Sequence, residues 1–214
     1  MYSSRNSVLK ASQVCLSESK GKRKFKQSVD LAINFQDLDF KKPEARVSLD
    51  VLLPHVAKTM KVAVFADGAL ASEAQKVADL VVPSATINEY ATDKKKQQTL
   101  LMHALLAEPK LMAQIGKTLG QVLGARGKLP RPIPPNSNLS SQIDQAKRTI
   151  MLRTKGKYLP TVNCLVGNEE MTSDDLADNI VAVLEALNKK VADLNVKSVY
   201  VKTSMGKAFK IEAR

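Results

Sequence analysis

The chain has 214 residues, of which 44% are hydrophobic and 25% are charged, and this length suffices for one large domain or two small ones. The composition excludes the disordered and collagen-like classes and indicates a globular protein. There are 33 lysines and arginines against 21 acidic residues, giving a formal net charge of +12. Such an excess predicts a polyanionic partner, either nucleic acid or an anionic membrane surface.

The first 58 residues contain a basic segment followed by two predicted strands. Five of the seven residues at 20–26 are Lys or Arg, with Phe25 among them. Apolar and polar residues alternate over 27–35, which predicts a half-buried strand, and they alternate more weakly over 46–53. Neither strand has a partner nearby in the sequence. No apolar run is long enough to span a bilayer and the N-terminus is not typical of a signal peptide, so we expect a cytosolic protein without a membrane partner.

The middle of the chain alternates between strand and helix patterns. Strands are predicted at 61–66 and 80–82, and residues 100–107 form a further apolar run. Helices are predicted at 69–79, 87–96, 109–123 and 140–150, with a proline-rich stretch at 129–135 before the last of them. This alternation is typical of a parallel sheet covered by helices.

The last third predicts a strand, a helix and a second strand. The first strand covers 160–166 and ends at Gly167. The helix begins at Thr172 or Ser173, with Asp174 and Asp175 favouring the positive end of its dipole, and runs to about residue 190. The second strand covers 196–202. Residues 1–58 and 157–214 are therefore predicted to form one discontinuous α+β domain with a split βαβ, ferredoxin-like sheet, into which residues 59–156 insert as an α/β domain.

No recognisable catalytic or metal-binding motif accompanies this fold. The two histidines, His55 and His103, have no nucleophile motif near them, and Cys15 and Cys164 lack metal-ligand spacing. Gly127 and Lys128 resemble the end of a phosphate loop, but Val122 and Leu129 occupy the positions where that motif needs Gly and Ser or Thr. We expect no enzyme activity, cofactor or metal. A phosphate-ligand enzyme built on the inserted domain is the alternative from another functional class.

Three basic clusters are candidates for binding RNA. The first is the segment 20–26, where an aromatic ring lies among cations. The second contains Arg126, Gly127, Lys128 and Arg131. The third, residues 202–207, follows the last predicted strand with two hydroxyls, a thioether and a glycine between two lysines, a set suited to RNA backbone and 2′-hydroxyl groups. Each cluster also has the simpler interpretation of a solvated polar turn.

Four segments, in collinear order, resemble the ribosomal "L-one" family, the protein of the mobile stalk of the large subunit. They are residues 25–54, 119–136, 171–180 and 198–206. The similarity is greatest to the archaeal branch, with the eukaryotic branch next. It departs from the usual pattern at Val56–Thr59 in place of a glycine-containing loop, at Ala125 in place of Pro, and at Lys207.

The resemblance implies a discontinuous RNA-binding domain with an inserted Rossmann-like domain. It further implies binding to a stalk segment of large-subunit ribosomal RNA, assistance in releasing deacylated tRNA from the exit site, repression of its own messenger RNA, and a monomer bound to cytoplasmic ribosomes. A ribosome-assembly factor with the same fold is the alternative. The predicted RNA contacts are Lys24, Phe25, Gln27, Ser28, Asn163, Gly167, Lys202, Thr203, Ser204, Met205 and Gly206. A secondary contact with RNA or tRNA is expected at Arg126, Gly127 and Lys128.

Overall fold

The computed structural model describes residues 3–40, 42, 45–134, 138–154 and 159–213. The chain divides into two compact units, one made of Met1–Lys58 and Arg148–Arg214 and the other of Thr59–Lys147. The first junction follows Lys58. The second differs from the expected position after residue 156, because a strand that the sequence did not predict, Thr149–Arg153, pairs with Ser48–Leu52 of the first unit.

The elements are numbered in chain order. The described strands are β1 (Ser28–Phe35), β2 (Ser48–Leu52), β3 (Val62–Phe65), β4 (Leu80–Val82), β5 (Ala104–Ala107), β6 (Arg131–Pro132), β7 (Thr149–Arg153), β8 (Thr161–Asn168), β9 (Val196–Thr203) and β10 (Ala208–Ile211). The described α-helices are α1 (Arg5–Ser19), α2 (Gly68–Val77), α3 (Ile87–Thr92), α4 (Lys94–Leu101), α5 (Met112–Thr118), α6 (Gly120–Ala125), α7 (Leu139–Arg148) and α8 (Ser173–Asn188).

The first unit is built on an antiparallel sheet with the strand order β10-β9-β1-β8. β1 pairs with β8 on one side and with β9 on the other, so β8 and β9 run in the same direction and α8 connects them. This pairing explains why the predicted first strand has no partner nearby in the sequence. Its alternate residues Val29, Leu31, Ile33 and Phe35 are buried as predicted. They contribute to a core that α1 and α8 share.

The longest helix, α8, begins where its sequence predicts. The Thr172 hydroxyl accepts a hydrogen bond from the Asp175 main-chain N–H at 3.1 Å, which caps the helix, and two aspartates occupy the first turn. Its buried residues recur at helical spacing and face the core of the first unit: Leu176, Ile180, Val183, Leu184 and Leu187.

The second unit contains a parallel sheet in the order β4-β3-β5-β6. Alternate residues of β3 enter two separate cores, with Ala63 and Phe65 on one face and Val62 and Val64 on the other. Helices cover both faces, because the first core also contains residues from α3 to α6 and the second contains residues from α2 and α7. The predicted parallel, helix-covered sheet is therefore present, and the chain is of the mixed α/β class.

Several predicted elements differ from the observed ones. The predicted helix 87–96 is two helices, because the Asp93 carboxylate accepts from the Lys95 N–H at 2.8 Å and starts α4 anew. The predicted helix 109–123 is interrupted at Leu119, and the predicted helix 140–150 ends at Arg148. The helix α1 and the strand β10 were not predicted at all. Part of the expected proline-rich stretch, residue 135, lies outside the described residues.

Candidate nucleic-acid interface

A cationic loop, residues 20–26, connects α1 to β1. The Lys20 N–H donates to the Leu16 carbonyl at 2.8 Å, and Gly21 then takes a φ of 75°, a left-handed conformation that favours glycine and redirects the chain. All seven residues of the loop are exposed. Phe25 is 53% exposed, so its ring is not a core residue. The loop thus presents five cations and one aromatic ring to solvent.

A second segment, the contact turn (residues 203–206), joins β9 to β10. The Ser204 N–H donates to the Ser28 carbonyl at 3.0 Å, and the Gly206 N–H donates to the Thr203 carbonyl at 3.2 Å. These bonds fold the turn back over the beginning of β1. Met205 is 62% exposed at its tip, and Ser204 is exposed beside it.

Strand register brings these segments to one end of the sheet. Val29, near the beginning of β1, pairs with Thr203 at the end of β9 and with Gly167 near the end of β8. An open cleft of about 490 Å³ lies between the cationic loop and the contact turn. It is lined by Glu18, Ser19, Lys22, Arg23, Gln27, Met205, Gly206 and Lys207. Cations, one carboxylate, a thioether and main-chain groups are therefore available to one ligand.

The floor of the cleft and the interior beneath it are polar and internally bonded. The Gln27 side chain donates to the Ser19 carbonyl at 3.3 Å and to the Glu169 carboxylate at 3.2 Å, and accepts from the Met205 N–H at 3.2 Å. Thr203 is fully buried, and its hydroxyl lies 2.9 Å from the Ser19 hydroxyl. These side chains connect α1, the residue before β1, the residues after β8 and the contact turn.

Gly206 lies where the surrounding atoms leave no room for a side chain. A Cβ there would overlap the Thr203 hydroxyl oxygen and lie 3.1 Å from that of Ser19. Its φ is not in the left-handed region, so the requirement is for close approach rather than for an unusual backbone. Gly167 is also confined, because a Cβ would lie 2.8 Å from Leu176 and Met171 side-chain atoms.

The structure distributes the predicted RNA contacts over three environments. Four are exposed at the shared end of the sheet: Lys24, Phe25, Ser204 and Met205. Three are half-buried there, namely Ser28, Lys202 and Gly206, and three are buried, namely Gln27, Gly167 and Thr203. Asn163 is exposed but pairs with Ala32, three residues along β1 from Val29, so it lies about 10 Å along the sheet from the Val29 position. Sequence reasoning missed two supporting residues, Ser19 and Glu169.

The secondary cluster lies in the second unit, at the C-terminal end of α6. Gly127 has a φ of 65°, its N–H donates to Gly124, and the Lys128 N–H donates to Leu123, which is a Schellman motif. The Lys128 ammonium donates to the Leu101 carbonyl at the end of α4, at 2.7 Å. Lys128 thus has a structural partner within the unit, whereas Arg126 is exposed.

The histidines and cysteines have structural surroundings. His103 is buried with Nδ1 2.6 Å from the Thr99 carbonyl, and His55 Nε2 lies 3.5 Å from the Asp175 carboxylate. Burial raises the pKa of Cys15 to about 11 and that of Cys164 to about 12, so both thiols stay protonated near neutral pH. The described residues include no group of three or more His, Cys, Asp or Glu side chains that could hold a metal ion.

Acidic partners occupy some of the surface cations. Lys26 pairs with Glu170 at 2.8 Å, and the hydrogen bond to that carboxylate raises the lysine pKa. Arg5 likewise pairs with Asp178 at 2.8 Å. Both pairs are exposed and contribute little to stability. In the part of the chain that the structure describes, no helix has the length and apolar character needed to cross a membrane.

Comparison with known proteins identifies the family. The model of the ribosomal protein L1p/L10e family matches residues 15–207. The chain belongs to this family. It is 41% identical over 199 residues to the large ribosomal subunit protein uL1 of Methanocella arvoryzae, covering 90% of this chain and 92% of that protein. The uL1 protein of Thermoplasma acidophilum is 39% identical over 203 residues, covering 92% and 93%. That of Pyrococcus abyssi is 40% identical over 196 residues, covering 89% of each.

Family membership confirms two expectations from the sequence. The four collinear segments do identify the ribosomal family, and the similarity to archaeal members extends over most of the chain. The family consists of structural ribosomal proteins, so the expectation that the chain is not an enzyme is also confirmed. The matched region includes the cationic loop and the contact turn.

Proposed function

We propose that this protein binds the stalk segment of large-subunit ribosomal RNA through the first unit, as a monomer within the ribosome. The observation that carries the proposal is the meeting of the cationic loop and the contact turn around one cleft. Family membership supports the ribosomal assignment. In this proposal the first unit is a ferredoxin-like RNA-binding domain and the second a Rossmann-like domain.

Exposed and half-buried residues in and beside the cleft have distinct roles in the proposal. Lys24 and Lys202 neutralise phosphates, and Phe25 offers a ring face to a base or sugar. Ser204 and Met205, which project from the contact turn, contact the RNA backbone and its 2′-hydroxyls. Because RNA sequence is poorly accessible in the deep groove of A-form helices, a rigid turn recognises local shape rather than base edges.

Three finer functions belong to the same proposal. The protein assists the release of deacylated tRNA from the exit site, with Arg126 as a contact from the second unit. It represses translation of its own messenger RNA when that RNA presents a mimic of the stalk segment to the cleft. It acts on ribosomes in the cytoplasm. The basic charge of the chain and the exposure of Arg126 support the two RNA-binding functions, and membership of a ribosomal protein family supports the location on ribosomes.

The proposal is tested by comparing the protein's affinity for a stalk RNA fragment with its affinity for an unrelated structured RNA of equal length. Met205→Ala should weaken stalk RNA binding about tenfold, the contribution of a well-placed contact. Met102→Ala is the matched control, because Met102 is an exposed methionine of the second unit. Equal affinity of the wild type for both RNAs across a salt series would refute specific recognition, since then only the net charge is being measured.

A further inference from the structure

A buried polar pair lies at the floor of the cleft, where Gln27 lines the cleft and Glu169 lies behind it. Gln27 is 2% exposed and Glu169 is 8% exposed. The Gln27 amide donates to the Glu169 carboxylate at 3.2 Å, and the Glu169 main-chain N–H donates to the Gln27 carbonyl at 3.0 Å. Burial of a polar or charged side chain is unfavourable unless its hydrogen bonds are made. The pair therefore depends on its internal partners and not on solvent.

The partners of Gln27 determine which way its amide faces. The Met205 N–H can only donate, so the atom facing it at 3.2 Å is Oε1. The Ser19 carbonyl can only accept, so the atom facing it at 3.3 Å is Nε2. Both hydrogens of the Nε2 group are then used, one by Ser19 and one by Glu169. No amide hydrogen of Gln27 is left for RNA.

We propose that Gln27 and Glu169 are positioning residues, which hold the main chain of Met205 in the conformation that binds RNA without touching the RNA themselves. This inference rests on the proposed function of the cleft. Glu169 acts through Gln27: its carboxylate fixes the amide, and the amide oxygen holds the Met205 N–H. The exposed Met205 and Ser204 side chains are the groups that this arrangement presents.

An electrostatic interpretation of Glu169 makes the opposite prediction. A carboxylate close to a polyanion opposes binding, so if charge were its only effect, every substitution that removes the charge would strengthen RNA binding. A positioning role depends instead on whether a hydrogen-bond acceptor remains within reach of Gln27 Nε2. The two interpretations can therefore be separated by changing charge and acceptor independently.

Three substitutions make this separation at Glu169. Glu169→Asp keeps the charge but shortens the side chain by one methylene, so the acceptor moves out of reach. Glu169→Gln removes the charge and keeps an acceptor oxygen at the same length. Glu169→Leu removes both. Positioning predicts about threefold to tenfold weaker stalk RNA binding for Asp and Leu, the effect of one hydrogen bond, and binding at least as tight as wild type for Gln.

The assay is a titration of the full-length protein with the stalk RNA fragment over a salt series, with thermal unfolding of each variant measured alongside. Because the pair contacts no phosphate, the slope of log affinity against log salt should match wild type in the Asp variant. Glu170→Gln is the charge control, since Glu170 is an exposed neighbour paired with Lys26, and it should strengthen binding slightly.

Two outcomes overturn the inference. In one, the Asp variant binds RNA like wild type, and the Gln and Leu variants both bind more tightly and to the same extent. The charge of Glu169 alone would then explain its effect on binding. The other is unchanged exchange of the Met205 amide hydrogen in the folded Asp variant, measured by NMR, because positioning requires faster exchange there; this readout decides the matter even if Glu169→Leu fails to fold. A wild type that does not distinguish stalk RNA from control RNA refutes the proposed function itself, independently of these variants.

Discussion

Replacing Gly206 with alanine tests whether the contact turn needs close packing. The added methyl would overlap the Thr203 hydroxyl, which is buried and bonded to Ser19 at 2.9 Å. Thr203 would have to turn away, losing a hydrogen bond of about 1 kcal/mol, and the crowding would cost about 1–3 kcal/mol more. We expect Gly206→Ala to lower the free energy of unfolding by roughly 2–4 kcal/mol. It should also weaken RNA binding at least tenfold, because the turn is displaced.

Gly116→Ala is the matched control for this prediction. Gly116 lies in α5, and a Cβ there would meet nothing within 4 Å, so the substitution should stabilise the protein by about 0.5–1 kcal/mol. Urea unfolding is followed by far-ultraviolet circular dichroism, because the chain has no tryptophan, and hydrogen exchange of peptides assigns the change to a unit. A Gly206→Ala protein as stable as wild type and with unchanged RNA affinity would refute the packing argument.

Three further predictions concern other parts of the molecule. Asn179→Ala should destabilise the first unit by about 2–4 kcal/mol in urea unfolding. The fully buried Asn179 side chain accepts a hydrogen bond from the His55 N–H and donates to the carbonyls of His55 and Val166. A loss below about 0.5 kcal/mol, which is typical of a surface substitution, would contradict this. Neither Cys15 nor Cys164 should react with iodoacetamide at neutral pH until the protein unfolds, because burial raises the thiol pKa from the ordinary 9.0 to about 11 and about 12. The unfolded chain therefore loses these protons at a lower pH than the folded protein does. The free energy of unfolding should fall as the pH rises above 9.0. Lys24→Gln should reduce the slope of log RNA affinity against log salt concentration by about 0.7–0.9, as the loss of one phosphate contact does. Lys61→Gln, at the start of the second unit, should leave that slope unchanged. Equal changes at both positions would mean that the effect of charge is diffuse.

The fold was predictable wherever a pattern lies within one element. Alternation over β1 and the apolar stripe of α8 were sufficient, because each element buries a face that its own sequence defines. The strand β7 was missed because only its pairing with β2 distinguishes it from the end of α7. The helix α1 carries almost no amphipathic pattern, since serines and a cysteine share its buried side with Val8 and Leu16. Tertiary packing, not local periodicity, determines such elements.

The candidate site was predictable as a set of exposed groups and much less so as a structure. Charge and residue type indicated the cationic loop and the contact turn, and register at Val29 explains why they meet. Residue type did not indicate Ser19 or Glu169, since neither lies in a basic cluster. Each matters only through a hydrogen bond to a distant partner, Thr203 for Ser19 and Gln27 for Glu169. Their role depends on contacts between segments more than 100 residues apart in the chain, between Gln27 and Glu169 and between Ser19 and Thr203.

Strand periodicity nevertheless distinguishes supporting residues from proposed RNA contacts at this site. Gln27 is in phase with the buried Val29 and Leu31, and Thr203 is in phase with the buried Val201, so alternation places both side chains towards the core. A polar residue that continues a buried apolar phase must find internal hydrogen bonds, and both do. Ser204 is out of phase and exposed. Substitutions of in-phase polar residues should therefore change RNA affinity through the shape of the turn, with an unaltered salt slope, whereas substitutions of out-of-phase residues change the contacts themselves.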